Sequence, residues 1–418
     1  MKAMKRTYRH STIRHSNSPM SWLLLSLLLL CLTACSTADM EEESMANTEN
    51  PNNSIPKKTP TQLYIYVFSS QASIPTRSYS GYADPIENEH TVYSLQIWVF
   101  THTTNKLIGY FSPAESSALN EPGGHEVYQL AIDEVYAQTE EASREHVDVY
   151  VLANVKEANC HLTFDQSTTK AELEDALLVH GTEDAFGLTA PVRAVPENAG
   201  LPMSGVLRDQ PVTGTAPVLR LDNAGQVAMV SLVRAVSKLR FAFSRQTDSE
   251  SLQINSIRLN TEMIPVAEYL FMTDAKPYNE QTCHIKTESG YDTAISNLLD
   301  ETIAEVATND DPVIYAWDQD QSPQVYESLL DAAVANGYIT QRVYFLRESD
   351  KLLQGEIKYQ IGDGEEQTAT FHMKDTNGFS RNHIWTIYAY LAYAHLQVVV
   401  AEVTPWRLTE DDHEFYNW

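Results

Sequence analysis

The sequence predicts a mainly β protein of two antiparallel β-sandwich domains with one or two short helices. Three observations carry that expectation. Short stretches rich in Val, Ile, Tyr and Phe recur along the chain, many with a period of two; turn residues punctuate them; and helical periodicity is rare. The expected strands are 62–68, 92–100, 147–153, 227–233, 239–243, 252–259, 341–346, 357–361, 384–392 and 396–403. Helices are expected only at 169–178, opened by Ser167-Thr168-Thr169 as a cap, and at 325–335. Short strands at this spacing, with so few helices between them, fit sandwiches rather than βαβ units.

The N-terminal stretch has a different character. Lys2, Lys5, Arg6, Arg9 and Arg14 precede an apolar run that begins at Trp22 and closes in Leu32-Thr33-Ala34-Cys35, with no acid before the cysteine. The run is shorter than the roughly 18–20 residues a spanning helix needs, so a cleaved secretion signal explains it better than a retained membrane helix. It resembles bacterial lipoprotein precursors, in which small residues before the cysteine admit the signal peptidase and the thiol takes the lipid. That resemblance implies a signal peptide over 1–34, lipidation at Cys35, and attachment to the outer membrane through that lipid. From Ser36 to Pro60 the chain is mostly Ser, Thr, Asn, Pro and acid, so 35–60 is expected to be an acidic flexible tether. Glu41-Glu42-Glu43 resembles a Bacteroidetes surface-export signal, and keeping the linker soluble explains those acids equally well.

Beyond Cys35 the balance is 24 basic against 56 acidic side chains, a formal charge of −32. That sign argues against nucleic acid and against docking on anionic lipid. Hydrophobic residues at 43% can fill a core, and about 360 residues after the tether suit two domains. Of the four cysteines, Cys31 leaves with the signal and Cys35 is consumed, so Cys160 and Cys283 remain as a disulfide or as two buried thiols.

The stretch 62–68 places Leu63, Ile65 and Val67 on one face and Tyr64, Tyr66 and Phe68 on the other. Both faces are apolar, so it is expected between other strands inside a sandwich, not at a solvent-facing edge. A turn-rich segment follows over 72–82, with Arg77 its only basic residue.

Several segments, TVYSLQIWVF (91–100), VDVYVLAN (147–154), LPMSG (201–205), VSLVRAVSKLRF (230–241) and NHIWTIY (382–388), follow one another in an order and spacing that resemble the fimbrillins of Bacteroidales, including the FimA and Mfa types. The resemblance implies two transthyretin-like sandwiches, which run over 61–215 and 216–418 if the Gly/Pro/Thr segment Pro211 to Pro217 divides them. It implies a pilus subunit at the cell surface, cut by an arginine-specific protease after the first strand. Arg77-Ser78 matches that cut by position, and an ordinary loop arginine is the plain alternative. Departure of Leu63, Ile65 and Val67 would open an apolar groove with unpaired backbone, a template for a strand from another fimbrial subunit. The candidate donor is 396–403, carrying Val398, Val399, Val400 and Val403. The tail from Arg407 to Trp418 is short and acidic at Glu410, Asp411 and Asp412, which leaves open a tip, accessory or anchor subunit that does not donate.

Enzyme motifs are absent. There is no Gly-x-Ser-x-Gly, phosphate-binding Gly-x-x-x-x-Gly-Lys or His-Glu-x-x-His. Cys160-His161 and Cys283-His284 lack structural zinc spacing. The Asp310-Asp311 and Asp318-Gln319-Asp320 acids are followed by Pro323 and Leu329 where a calcium loop needs Gly and Glu. No catalytic residue, metal or cofactor is therefore expected, and Arg234 and Lys238 are read as structural. A monomeric surface glycan-binding lipoprotein is the alternative to a pilus subunit.

Overall fold

The structure, a computed structural model, describes residues 60–69, 89, 91–112, 125–155, 162–179, 195, 199–223, 226–272, 284–291, 298–299, 301–310, 330–373 and 379–405. Cys35, Arg77, Ser78, Cys160 and Cys283 lie outside the described residues, as does the tether up to 59. The strands in the first half are β1 (Gln62–Ser69), β2 (Leu95–Thr101), β3 (Leu107–Phe111), β4 (His125–Ala131), β5 (Val147–Ala153), β6 (Leu177–Val179), β7 (Met203–Gln210), β8 (Val212–Thr215), β9 (Val218–Asn223), β10 (Gln226–Val227) and β11 (Met229–Arg234). Those that follow are β12 (Ser237–Arg245), β13 (Leu252–Leu259), β14 (Ala267–Tyr269), β15 (Thr340–Leu346), β16 (Gln354–Ile361), β17 (Gln367–His372), β18 (His383–Ala392) and β19 (His395–Pro405).

The first sheet runs β10-β9-β1-β11-β7-β5-β2-β3, with β4 on β1 and β8 on β9. It folds over its own core: Leu63, Ile65 and Val67 of β1, Leu130 of β4 and Leu219 of β9 cluster with Ile97, Val99, Val149 and Val151 of β2 and β5. The opposite face of β2 and β5 is also buried. There Trp98, Phe100, Tyr150 and Leu152 pack with Phe164, Leu173, Leu178, Leu270 and Phe271, and the Trp98 indole N–H donates to the Asp165 carbonyl at 2.8 Å. Covering on both sides explains why β5 is apolar at almost every position.

The second sandwich is a sheet β15-β12-β18-β19 facing a sheet β13-β16-β17. Leu239, Phe241, Tyr344, Trp385 and Ile387 from the first meet Ile254, Ile257, Ile357 and Phe371 from the second. Phe241 sits edge-on to Tyr344 and Phe371, with ring centroids 5.9 and 5.4 Å apart. Residues 330–335 are helical, and Leu330 and Ala333 pack on the outer face with Ala242, Phe345 and Tyr388.

The protein is mainly β and sandwich-built, as expected, with two departures, in strand direction and in helix length. The sheets are not wholly antiparallel, since β1 lies parallel to β9 and to β11, and β12 parallel to β18. The segment from Pro211 to Pro217 carries β8, which pairs with β9, and the step from the first sheet to the second comes between Arg234 and Ser237. The helix expected over 169–178 spans Lys170–Glu174, opened by a capping box between Thr169 and Glu172; the chain then extends into β6, whose backbone pairs with β14.

A fully buried charge cluster ties the β6–β14 pair to the second sandwich. Arg381 donates to Glu348 Oε1 at 2.6 and 2.9 Å and to the carbonyls of Tyr269 and Leu270 at 2.5 and 3.1 Å. The Arg347 guanidinium reaches the Val266 carbonyl at 2.7 Å, and Glu268 accepts from the Glu348 N–H at 3.1 Å. Burial pushes the Glu268 carboxyl well up, with Glu348 adding repulsion to what Arg381 and Arg347 oppose. For Glu348 burial acts in the same upward direction, but the Arg381 charge and hydrogen bonding from His284 overcome it and hold the carboxyl low. An acid whose folded pKa lies above its unfolded one favours the folded state at low pH and loses that contribution as pH rises from about 4.5. Glu268→Gln should therefore gain stability relative to wild type as pH increases from 5 to 8, by at most about 1.4 kcal/mol per pH unit. Urea unfolding across that range checks it, and a pH-independent difference would contradict the assignment.

Candidate strand-exchange site

The site is the slot occupied by β1. Along one edge β1 pairs antiparallel with β4, from Gln62 opposite Ala131 to Phe68 opposite His125. Along the other it pairs in parallel with two strands in succession: β9 from Gln62 opposite Val218 to Tyr64 opposite Arg220, then β11 from Tyr66 opposite Met229 to Ser69 opposite Leu232. Along the ladder, β9 therefore reaches β11 only through β1. A strand with hydrogen bonds on both edges is interior, and the sequence dictates it through the alternation Leu63, Ile65, Val67.

Those three side chains are 0, 0 and 4% exposed. At about 1.5–3 kcal/mol for each apolar side chain, their burial represents on the order of 5–9 kcal/mol, an upper figure because the unfolded chain is already partly collapsed. Tyr64 and Tyr66 are half-buried, so β1 is less enclosed on its outer face than its uniformly apolar sequence implied. Tyr66 there lies in register between Val127 of β4 and Met229 of β11.

Polar contacts fix where β1 begins. The Glu134 carboxylate accepts from the Thr61 N–H at 3.1 Å and from its hydroxyl at 3.4 Å. The Ile132 N–H donates to the Thr61 carbonyl at 3.1 Å, and the Gln62 N–H to the Pro217 carbonyl at 2.9 Å. Glu134 opens a one-turn helix, Glu134–Ala137, capped by Asp133; no periodicity marks so short an element in the sequence.

The candidate donor occupies a different position. In β19, Val398, Val399 and Val400 pair with Ala389, Tyr388 and Ile387 of β18, and Leu396 and Val398 pack against the second core. Val403 belongs to the same strand, whose last residue, Pro405, pairs with His383. β19 is therefore the edge strand of its own sandwich, at the far end of the sheet order from β15, and β1 and β19 belong to different sheets.

Residues read only as structural acquire partners. Lys238 Nζ lies 2.8 Å from the Glu89 carboxylate, and the Arg234 guanidinium donates to the Glu89 carbonyl at 3.0 Å and to Asn382 Oδ1 at 3.1 Å. Glu89 carried no signal in the sequence, because an isolated acid is commonly solvated. Asp310 accepts from the Thr247 N–H and hydroxyl at 2.8 and 2.7 Å and serves a turn. His284 is buried beside Glu348, 3.7 Å away. Among the described residues no group of three or more His, Cys, Asp or Glu is placed to hold a metal, and no helix is long and apolar enough to cross a membrane.

Ile65→Ala should cost about 2–5 kcal/mol by leaving a cavity in the first core, whereas Gln129→Ala, on the exposed face of adjoining β4, should stay within about 0.5 kcal/mol. Denaturant unfolding of the two variants checks the difference, and similar costs would mean that β1 does not seal that core.

No family model matches the sequence, and no curated protein matches it. Solved structures to which the chain is similar include the tip fimbrial protein Mfa3 from Porphyromonas gingivalis with a C-terminal truncation, at 12% identity and a TM-score of 0.42, covering 82% of this chain and 99% of that one. A fimbrial assembly protein from Parabacteroides distasonis is similar at 14% identity and a TM-score of 0.37, over 82% of this chain and 96% of that one. A fimbrial protein from Bacteroides vulgatus shares 9% identity at a TM-score of 0.33, over 76% of this chain and 94% of that one.

Proposed function

We propose that the chain is a structural, adhesive pilus subunit, not an enzyme, that is exported as a lipoprotein on Cys35 and assembles at the cell surface by strand exchange. One observation carries this reading: β1, the first strand among the described residues, is paired on both edges, and its inward face fills the first core. Its removal would leave β4 on one side and β9 and β11 on the other with unpaired backbone, around a groove lined by Val149, Val151, Leu219 and Val230. Such a groove takes a strand by β-augmentation. Filled from a second molecule, it makes a head-to-tail contact that does not close, hence a filament. The cut falls after Arg77, between β1 and β2, and the donor comes from the C-terminal region, with Val398, Val399, Val400 and Val403 as candidates. The partners are other fimbrial subunits, an arginine-specific protease and the outer membrane through the lipid.

The pairing of β19 within its own sandwich favours a second reading beside the first, a tip or accessory subunit that accepts a strand without donating one. Donation, by contrast, would require β19 to leave β18 and uncover Leu396 and Val398.

Treating the purified precursor with an arginine-specific protease should give a single early cut after Arg77, read by mass spectrometry, and the trimmed protein should ladder on native gels. An intact bond contradicts the processing step. Complete trimming with a single native band would support a non-donating subunit, and sugar-dependent mobility of that band would support the glycan-binding alternative.

A further inference from the structure

The chain between β1 and β2 re-enters the described structure at Glu89, and a buried clasp receives it there. Glu89 is 5% and Lys238 2% exposed, and Lys238 Nζ stands 2.8 Å from Glu89 Oε1. Arg234, the last residue of β11, holds the Glu89 carbonyl at 3.0 Å with Nε and Asn382 Oδ1 at 3.1 Å with Nη1. Asn382 in turn donates its N–H to the Val236 carbonyl at 2.9 Å. The clasp therefore sits at the seam where β11 of the first sheet gives way to β12 and β18 of the second. A second fastening follows within a few residues: Asn154 accepts from the N–H groups of Tyr93 and Ser94 at 2.7 and 3.3 Å and donates to the Thr91 carbonyl at 2.7 Å. Asn154 adopts a φ of 59°, and a Cβ at Gly200 would lie 2.3 Å from its Nδ2, so the backbone of both residues is shaped around this contact.

A buried ion pair adds little stability, because desolvation offsets most of its attraction, whereas losing one partner strands the other charge, so the pair resists being opened. Here the fixed object is Glu89, twelve residues after Arg77 in the sequence and six ahead of β2. We infer that Glu89 is an anchoring post: clasped by Lys238 and Arg234, it keeps the chain from residue 89 onward docked on the seam when β1 departs. What leaves is then the chain up to Arg77, β1 included, and β2 and its neighbours keep their register around the emptied slot. Glu89, Lys238 and Arg234 are thus positioning residues for strand removal, and the inference rests on the strand-removal reading.

The test uses the full chain before and after arginine-specific trimming, with hydrogen exchange of the peptide spanning 89–92 and the N-terminal heterogeneity of the trimmed product as readouts. The variants are Lys238→Met, Lys238→Arg and the double variant Glu89→Gln with Lys238→Met, which strands no charge if Lys238→Met alone fails to fold. In wild type, 89–92 should stay protected after trimming, and further proteolysis should stop short of residue 89. Lys238→Met or the double variant should raise exchange there at least tenfold and ragged ends should appear beyond 89, with exchange in β12 unchanged; Lys238→Arg should restore the boundary. Unchanged exchange at 89–92 and an unchanged boundary in a cooperatively folding variant would overturn the post. Absence of any cut between β1 and Glu89 would instead overturn the processing reading, and exchange on the uncut chain would still decide the clasp.

Discussion

The structure depends on one arrangement: the first described strand has both edges hydrogen-bonded and its inward side chains buried in the first core. β1 joins β4 to β9 and β11, and Leu63, Ile65 and Val67 face β2 and β5 across the core. A strand at a sheet edge costs one ladder when it is lost. Losing β1 would cost two ladders and open an apolar cavity together, so the empty slot is a high-energy state with a strong preference for any strand that fits. On the proposed strand-exchange reading, stability and capacity for exchange would arise from the same contacts.

The rest of the molecule keeps the slot's walls in place. β11 runs into β12 through only Ala235 and Val236, so one wall of the slot is continuous with the second sandwich. The Glu348–Arg381 pair and Arg347 bind β14 and the segment around it to that sandwich, and Leu270 and Phe271 from the same segment pack against Tyr150 and Leu152 of the first sheet. These buried charges each find carbonyls or carboxylates, which is the condition for tolerating them in an apolar interior.

Much of this was legible in the sequence, and the failures have physical causes. β1, β5, β13 and β18 announce themselves because long apolar or alternating runs cannot be solvated. β4 and β9 went unread although they flank β1. Gln129 on β4 and Arg220 on β9 interrupt runs short enough to pass for loop. β7 was hidden by Gly205 and Arg208, yet the glycine is required, since a Cβ there would meet the Ser231 carbonyl at 2.6 Å. Gly214 and Pro217 lie in the tight connection between β8 and β9, so the Gly/Pro/Thr composition there marks a hairpin turn. Glu89, Glu134 and Glu348 were invisible as functional or structural acids because burial, not residue type, gives them their roles.

The most direct test of the central claim is to add a synthetic peptide spanning Gln62–Ser69 to protein trimmed free of β1 and follow thermal unfolding. If β1 plugs the first core and can be replaced from outside the molecule, the trimmed protein melts well below the precursor, and the peptide returns the midpoint toward it in a saturable way while suppressing assembly. A trimmed protein that melts at the precursor's temperature, or one that ignores the peptide, would contradict the account.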